Sequence, residues 1–460
     1  MNVDSSGAQA NNSSPTWEND SSISADGRYV AFTSYASNLV PGDTNNIQDI
    51  FVHDRLSGVT QRVSVDSFGI EGDNIDYHPA ISADGRFVTF DSWSTNLVAG
   101  DTNANADVFV HDRQSGVTER VSVDSLGTQG NSPSSHPSIS GDGRFVAFES
   151  TASNLVPGFT SGFEDVFVHD RQTGVTEIVS MSSLGLDGNG HSTHASISAD
   201  GNYVAFHSHA TNLANRLDVN GWRDIFVRDR QAGVTEIVSL DSFGMQANYQ
   251  SLEPSISADG RYVAFDSAAT NFEPWDTNGV ADIFVHDRQS GVTELVSVNS
   301  LGGLANNGSY LPSISADGRS VAFQSHATNL VAGDTNGLED IFAHDRWTGS
   351  DANSIFLTGP STSPVLDTVD FSWHSAAGNS TYWLAYSLNT NGAVISGHSF
   401  DIGNPMTVLA TGINSANGMG SFTSQPVPSG AANLTVYFEV AALDAGGVLY
   451  DSNVHAVTFF

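Results

Sequence analysis

The chain contains no cysteine and no lysine among its 460 residues, and its only permanent cations are 16 arginines. Without cysteine no disulfide can form, so cysteine usage says nothing about the compartment. Against 51 acidic residues the arginines leave a formal net charge of −35 at pH 7. Nucleic acids and anionic membranes are bound through clustered cations, so we expect neither as a partner. No segment approaches the roughly 18 consecutive apolar residues of a membrane-spanning helix.

What the chain has instead is a block of about 58 residues that occurs six times, up to about residue 346. One marker is an S-x-D-G turn, whose aspartates are Asp26, Asp84, Asp142, Asp200, Asp259 and Asp317. A second marker is a D-R pair, whose aspartates are Asp54, Asp112, Asp170, Asp229, Asp287 and Asp345. This periodicity indicates one supersecondary unit that is stacked many times, because a single unit cannot bury its apolar faces alone.

Each repeat contains four short segments with strand-like patterns, separated by turn sequences. In the second repeat these segments are residues 78–82, 86–92, 107–113 and 117–123. Alternating apolar and polar residues without helical periodicity, joined by Asp-Gly turns, are typical of antiparallel strands. Four such strands per repeat correspond to one propeller blade. The sequence therefore predicts an all-β fold with a six-bladed β-propeller, in which ring closure covers the sheet edges.

The fifth repeat contains ISADGRYVAFDS and then DIFVHDRQSGVTELVSV, and this sequence resembles the TolB-like family of WD-type propeller repeats. The resemblance covers residues 1–350 and implies the propeller fold. It implies little about activity, because such propellers serve as scaffolds, as binding modules and as parts of hydrolases and lyases. The tail, residues 351–460, has three alternating segments and a strand tryptophan, Trp373. It is similar to a fibronectin type III or immunoglobulin-like β-sandwich.

The chain begins within a repeat, because residues 1–5 match residues 121–125 at the end of a fourth strand. We expect this N-terminal segment to pair with the last blade and so fasten the ring. We also expect that an export signal has been removed, and that the protein is extracellular or periplasmic.

A loop between the second and third strands carries the pattern D-x-N-x-x-x-D in five repeats. Its residues are Asp43, Asn45, Asp49, Asp101, Asn103, Asp107, Asp218, Asn220, Asp224, Asp276, Asn278, Asp282, Asp334, Asn336 and Asp340. The third repeat lacks the pattern, with Phe159 and Ser161 before Asp165. Oxygen ligands in this arrangement suit a hard cation, so we predict calcium sites that rigidify the loops. Alternatively, the Asp and Asn side chains only cap turns.

Strand one begins and strand two ends at the mouth of a propeller channel, so two residues per blade should surround it. The first ring is Asp20, His78, His136, His194, Glu253 and Leu311. The second ring is Thr33, Asp91, Glu149, His207, Asp266 and Gln324. Histidines beside carboxylates there have the chemistry for transition-metal binding or acid–base catalysis. Alternatively, they are structural and hydrogen-bond to the neighbouring blade.

Blade four differs most from the other repeats. Near the mouth it combines histidines, arginines and a tryptophan, namely His191, His194, His207, His209, Arg216, Trp222 and Arg223. Arginine pairs with carboxylate or sulfate in a bidentate fork, and tryptophan stacks on a sugar ring. Together with His78 and His136, these residues form our predicted binding site for an anionic polysaccharide or a protein partner. Alternatively, blade four is an eroded repeat whose arginines pair with local aspartates.

Two classes of function fit these features. The first is a secreted, calcium-stabilised, non-catalytic module that binds a glycan or a protein. The second is a polysaccharide lyase, in which a histidine of blade three or four removes the proton beside a uronate carboxylate while Arg216, Arg223 or a metal neutralises the developing charge. Blade four alone supplies cations at the mouth, and this scarcity favours the binding module.

Overall fold

The structure, a computed structural model, describes residues 3–14, 21–158, 161–214, 218–273 and 276–346, together with strand segments between residues 356 and 459. Every regular element in these ranges is a β-strand. The chain divides into two compact units, Met1–His344 and Asp345–Phe460. The described residues include no helix that is long and apolar enough to cross a membrane.

The first unit is a six-bladed β-propeller, which confirms the predicted all-β fold of the repeats. Each blade is an antiparallel sheet whose strands follow chain order. Blade one consists of β1 (Ser21–Ile23), β2 (Tyr29–Ser34), β3 (Asp49–Asp54) and β4 (Thr60–Arg62). Blade two consists of β5 (Asp76–Ile81), β6 (Phe87–Ser92), β7 (Asp107–Asp112) and β8 (Val117–Arg120). Blade three consists of β9 (Ser134–Ile139), β10 (Phe145–Ser150), β11 (Asp165–Asp170) and β12 (Val175–Ile178).

The remaining three blades repeat this order. Blade four consists of β13 (Ser192–Ile197), β14 (Tyr203–Ser208), β15 (Asp224–Asp229) and β16 (Val234–Ile237). Blade five consists of β17 (Ser251–Ile256), β18 (Tyr262–Ser267), β19 (Asp282–Asp287) and β20 (Val292–Leu295). The described strands of blade six are β21 (Ser309–Ile314), β22 (Ser320–Ser325) and β23 (Asp340–Asp345).

The hydrophobic core lies between neighbouring blades, and the third strands show why. In β7 all six residues are buried, because a blade packs on each face of the sheet. Val108 and Val110 of blade two belong to the same apolar cluster as Val146, Phe148 and Phe167 of blade three. Each such side chain stabilises the fold by about 1.5–3 kcal/mol when fully buried. A single blade would leave both of these faces in water.

An aromatic ring at the start of the second strand lies on the turn glycine of the next blade. A Cβ atom added to Gly85 would be 2.1 Å from the Cδ2 atom of Tyr29, and Gly85 has a φ of +73°. Glycine is therefore required both for the close approach and for the backbone conformation. The guanidinium carbons of Arg28 and Arg113 lie 4.7 and 4.5 Å from the ring centroid of Tyr29. We call this contact of ring, glycine and arginines the inter-blade latch.

The latch recurs at five successive junctions. The further ring–glycine pairs are Phe87 on Gly143, Phe145 on Gly201, Tyr203 on Gly260 and Tyr262 on Gly318. The same turns carry backbone hydrogen bonds from each blade to the next. The first joins the N–H of Ala25 to the carbonyl of Ala83, and the last joins Ala258 to Ala316. These contacts fix each blade to its neighbour at one repeated angle.

The junction between blades six and one is different. Blade six has Ser320 at the aromatic position, and Gly27 of blade one is approached by Arg55 and Ile23 of its own blade instead. Ile341 is 70% exposed, whereas its equivalent Ile283 in blade five is fully buried. In blades one to five this face of the sheet is covered by the next blade. In blade six the equivalent face is exposed among the described residues. The predicted closure of the ring is not a sixth copy of the same junction.

The described part of the N-terminal segment lies on blade one. The Oγ1 atom of Thr60 donates a hydrogen bond to the carbonyl of Val3 at 2.6 Å, and the N–H of Thr60 donates to the Oγ atom of Ser5 at 3.0 Å. The segment after each fourth strand contacts the following blade in the same way, as Val65 contacts Thr118. The sequence predicts pairing with the last blade for residues 1–5, but Val3 and Ser5 contact blade one. Residues 1 and 2 lie outside the described residues.

In the second unit the structure describes strands and their pairing. They are β24 (Phe356–Thr358), β25 (Thr362–Ser363), β26 (Asp370–His374), β27 (Thr381–Ser387), β28 (Ala393–Ile395), β29 (His398–Phe400), β30 (Thr407–Ile413), β31 (Met419–Thr423), β32 (Thr435–Leu443), β33 (Leu449–Asp451) and β34 (His455–Phe459). One sheet has the order β24-β26-β31, and another has β25-β34-β32-β27-β30, with β33 on β32. β28 pairs with β29. The β-sandwich predicted for the tail stays a prediction.

The latch can be tested by giving another blade the residue that blade six has. We expect Phe145→Ser to lower the free energy of unfolding by about 2 kcal/mol, because a half-buried ring is lost from the surface of Gly201. The guanidinium groups of Arg144 and Arg230 also lose their contact with that ring. Equilibrium unfolding in urea measures the difference. The matched control is Ser320→Ala, which should change the free energy by less than about 0.5 kcal/mol. Equal losses in the two variants would contradict the proposed role of the latch.

Candidate functional site in the channel and at its rim

A β-bulge in the first strand places one residue of each of blades two to six on the channel wall. In blade two the register of β5 against β6 shifts between Tyr77 and Ala80. The bulged residues have positive φ values, namely His78 (+49°), His136 (+48°), His194 (+54°), Glu253 (+51°) and Leu311 (+53°). This conformation costs roughly 1–2 kcal/mol in a non-glycine residue, so the surrounding blades must hold it. All five residues line one cavity together with the start of β1. The first-ring residue Asp20 lies outside the described residues.

Two of the channel histidines are paired with carboxylates of their own blades. The Nδ1 atom of His78 lies 2.7 Å from Oδ1 of Asp91, and Nδ1 of His136 lies 2.5 Å from Oε1 of Glu149. The same carboxylates accept hydrogen bonds from the next blade, because the N–H of His136 donates to Asp91 at 3.3 Å and that of His194 donates to Glu149 at 2.9 Å. The side chains of His78 and His136 are thus bonded within their own blades, and the bond from His136 to the neighbouring blade is made by its backbone N–H.

The pair of His136 and Glu149 is ionised near neutral pH. Burial disfavours charge on both groups, but their mutual hydrogen bond and attraction dominate. They raise the pKa of His136 to about 9 and lower the pKa of Glu149 to about 2. A histidine that already carries a proton cannot remove one from a substrate, so His136 does not fit the role of a lyase base.

Blade four has a histidine where its neighbours have the second-ring carboxylate. The Nε2 atom of His207 lies 2.6 Å from Oγ1 of Thr193, and its Nδ1 atom accepts the N–H of Glu253 at 3.4 Å. Burial lowers the pKa of His207 well below its ordinary value, and the nearby His194 acts in the same direction. The ring of His194 stacks on that of His207 with centroids 4.8 Å apart. The Nε2 atom of His194 lies 3.5 Å from Oε1 of Glu253.

Three predicted residues of blade four, Trp222, Arg223 and His209, lie with Tyr249 of the following link at a surface that we call the aromatic rim. The rings of Trp222 and Tyr249 lie with centroids 4.3 Å apart, and 38% and 39% of these residues is exposed. The Nε–H of Arg223 donates to Nε2 of His209 at 2.9 Å. The N–H of Trp222 donates to Oδ1 of Asn220 at 2.7 Å, which fixes the tip of the loop between β14 and β15.

Three other residues of blade four lie elsewhere or outside the described ranges. His191 accepts the N–H of Glu164 at 3.1 Å through its Nδ1 atom and packs edge-on against Phe163. Arg228 donates to the hydroxyl of Thr235 at 3.1 Å, in the place of the histidines that bond to threonine in other blades. It is therefore not a residue of the mouth. Arg216 lies outside the described residues.

The acidic loops of blades one and two already contain a cation. The Nη1 atom of Arg62 lies 3.2 Å from Asp49 and 2.6 Å from Glu71, and 3.7 Å from Asp43. In blade two, Arg120 takes the same position, 3.2 Å from Asp107 and 3.5 Å from Asp101. A guanidinium group between the carboxylates leaves a calcium ion little electrostatic advantage there.

The loops of blades four, five and six have no such arginine among their described contacts. In blade four the amide of Gln246 donates to Asp218 at 2.7 Å and to Asp224 at 2.8 Å. In blade five Leu304 stands at the position of Gln246, and both carboxylate oxygens of Asp276 are buried without a hydrogen-bond partner. Burial raises the pKa of Asp276; the backbone N–H of Asn278 is near the carboxylate and offsets this rise in part, but it does not make a hydrogen bond of normal geometry.

The acidic loop of blade five thus has buried carboxylate oxygens and neither the arginine nor the glutamine that contacts the equivalent carboxylates in other blades. Burial also raises the pKa of its second carboxyl, Asp282, to about 6. Asn278 donates to Asp282 at 2.7 Å, and its own Oδ1 atom accepts the N–H of Val280 at 3.1 Å. Equivalent bonds of Asn45 and Asn336 show that the asparagine caps the turn in other repeats as well. The loop in blade six, with Asn336, is the most exposed of the five.

Sequence reasoning missed four residues that contribute to these sites. Glu253 was placed in the first ring but not in the binding site, although it stands where three other repeats have histidine. Tyr249 lies in a link between blades, where the sequence had no strand pattern to place it. Arg62 and Arg120 interrupt the apolar position of the fourth strand in two repeats, and that departure was the available signal.

No protein-family model and no curated protein matches the chain. A solved structure assigned as TolB in Agrobacterium tumefaciens is 15% identical with a TM-score of 0.38, over 72% of this chain and 90% of that one. The extracellular domain of a hybrid two-component system of B. thetaiotaomicron is 10% identical with a TM-score of 0.36, over 97% and 51%. An ancestral GH74 enzyme is 10% identical with a TM-score of 0.39, over 96% and 62%. The propeller thus has a TolB-like structural neighbour, and these likenesses carry no function over to it.

Proposed function

We propose that the protein is a non-catalytic binding module that holds an anionic glycan on the aromatic rim. The observation that carries this proposal is the exposed pair of Trp222 and Tyr249 beside Arg223, on a chain with a net charge of −35. Large exposed aromatic rings are costly in water unless a ligand covers them, and paired rings offer a broad apolar face to a sugar. Arg223, the next residue after Trp222 in the chain, supplies a permanent positive charge.

An anionic ligand is favoured over a neutral one because of the charge around the rim. The surface of so acidic a protein repels anions in general, so an arginine that is presented next to aromatic rings is a local exception. Its Nε–H is used by His209, which leaves the terminal amino groups of Arg223 oriented by that contact. A guanidinium held in this way can pair with a carboxylate or a sulfate group.

The glycan proposal predicts that Trp222→Ala and Arg223→Ala each weaken binding to alginate or pectate by about tenfold, which is the loss of about 1.4 kcal/mol. Isothermal titration calorimetry with size-defined oligosaccharides measures the affinity. The matched control is Trp93→Ala, because Trp93 is 42% exposed on blade two and lies away from the rim residues in sequence. Equal binding by all variants would refute the rim as the site.

The alternative function, a polysaccharide lyase, can be tested with the same protein samples by an absorbance assay. A lyase creates an unsaturated uronate, so absorbance of the product would rise during incubation with alginate, pectate or ulvan. The feature that favours this alternative is the lowered pKa of His207, because burial favours the uncharged imidazole, the form that can accept a proton. Sustained turnover would replace the proposal of a non-catalytic module.

We further propose that calcium stabilises the propeller, chiefly through the loop of blade five. The two unpartnered oxygens of Asp276 and the carboxylate of Asp282 supply a hard cation with the ligands that it prefers. Extracellular modules bind calcium at millimolar levels, which agrees with our proposal that the protein is extracellular or periplasmic. For the tail we propose a fibronectin type III or immunoglobulin-like sandwich that serves as a spacer.

Calcium should raise the thermal unfolding midpoint of the wild-type protein relative to the same protein in EDTA. At about a hundredfold excess over Kd the gain in stability is about 2.7 kcal/mol. We expect Asp276→Asn to abolish most of this gain, because the buried charge is lost. Asp101→Asn in blade two is the control and should retain it, because Arg120 is the cation at that loop. A wild-type midpoint that does not respond to calcium would contradict the proposal.

A further inference from the structure

The order of histidine and carboxylate along the channel changes between blades four and five. In blades two and three the first ring supplies a histidine and the second ring supplies its carboxylate, at 2.7 and 2.5 Å. Blade four keeps the first-ring histidine, His194, but has His207 in the second ring. Blade five then has Glu253 in the first ring. Two imidazoles and one carboxylate therefore meet at this junction, where a single pair is found in the preceding blades.

We propose that His194, His207 and Glu253 bind a divalent first-row transition metal ion. One ligand atom from each of the three residues lies within 4.8 Å of the other two. A tetrahedral ion with bonds of about 2.0–2.2 Å separates its ligands by roughly 3.3–3.6 Å. The pair of His194 Nε2 and Glu253 Oε1 is already at 3.5 Å. Closure of the widest pair by about 1 Å, within reach of side-chain rotation, completes the geometry.

The surroundings of His207 match those of a metal ligand. It is 1% exposed, and Thr193 holds its Nε2 atom at 2.6 Å. Metal-binding imidazoles usually use one nitrogen for the ion and donate the N–H of the other to a neighbouring oxygen. With Nε2–H donated to Thr193, the lone pair of Nδ1 faces Glu253 and accepts only a long hydrogen bond from its N–H, at 3.4 Å, which a bound ion would replace.

The backbone also prepares this site. His194 and Glu253 occupy the bulges of adjacent blades, with φ values of +54° and +51°. A strained conformation of this kind persists only where the fold over-determines it, so both side chains are held toward the channel before any ion arrives. The packing of blade four on blade five sets the distance between the two bulges.

Two nitrogen ligands and one oxygen ligand select the class of ion. Imidazole suits Zn²⁺, Co²⁺, Ni²⁺, Cu²⁺ or Fe²⁺, whereas Ca²⁺ takes oxygen ligands almost exclusively. This site is therefore chemically distinct from the acidic loop of blade five. Three protein ligands leave a coordination position toward the channel, where water or an anionic group of a ligand can bind. The inference does not depend on glycan binding at the aromatic rim.

The test is titration of the full chain with Co²⁺ after treatment with a chelator. We expect one equivalent of Co²⁺ to bind, with the visible ligand-field absorption of a four- or five-coordinate ion, and Zn²⁺ to displace it. Glu253→Gln and His194→Asn should each weaken binding by at least about a hundredfold, because each removes a direct ligand. Asparagine is chosen since it tolerates positive φ.

The matched control is His78→Asn, which changes the equivalent bulge of blade two, where φ is +49°. It should leave the Co²⁺ affinity within about threefold of the wild type. Circular dichroism verifies folding. If His194→Asn does not fold, the Co²⁺ affinity of Glu253→Gln tests the metal site. Failure of the wild type to bind one equivalent of Co²⁺ or Zn²⁺ overturns the inference. So does unchanged affinity in Glu253→Gln, or a loss in His78→Asn as large as that in His194→Asn.

Discussion

The contact of one aromatic ring with one glycine is the interaction on which the rest of the propeller depends. Tyr29 can lie on Gly85 because that glycine has no Cβ, and the guanidinium groups of Arg28 and Arg113 pack on the same ring. The contact fixes the angle between consecutive blades, and repetition of one angle is what curves a row of sheets around a channel. Ser320 interrupts the series, so the junction of blades six and one has to be made by other means.

The channel inherits its geometry from this regular packing. In blades two to six a bulge in the first strand turns one side chain onto the wall. A carboxylate of the preceding blade accepts the N–H of this residue in blades three and four, as Glu149 does for His194. The pattern uses buried charge to join blades, which is favourable only because each carboxylate is both paired and hydrogen-bonded. Where His207 replaces the carboxylate, the same framework brings ring nitrogens of His194 and His207 close to the carboxylate of Glu253. A change of two residues thus converts a structural joint into a candidate metal centre.

The acidic loops show how one sequence pattern can have several physical outcomes. Asp43 and Asp276 occupy equivalent positions, yet a guanidinium lies near the first and the second is buried without a partner. The difference comes from the fourth strand, where Arg62 in blade one corresponds to Leu295 in blade five. Because burial makes an unneutralised carboxylate costly, the carboxylate of the second loop is less well compensated than that of the first.

The repeat, the four strands of a blade, the turns and the positions around the channel could be predicted from the amino-acid pattern, because period, alternation and Asp-Gly turns are local properties. It also singled out Trp222 and Arg223 as departures from the repeat. The contacts among the residues that differ from the repeat became visible only in the fold. Tyr249 lies on Trp222, Arg62 reaches the acidic loop, and Glu253 joins the histidines of blade four. These contacts join residues in different strands or blades, and their distances are set by the packing of the sheets and not by separation along the chain.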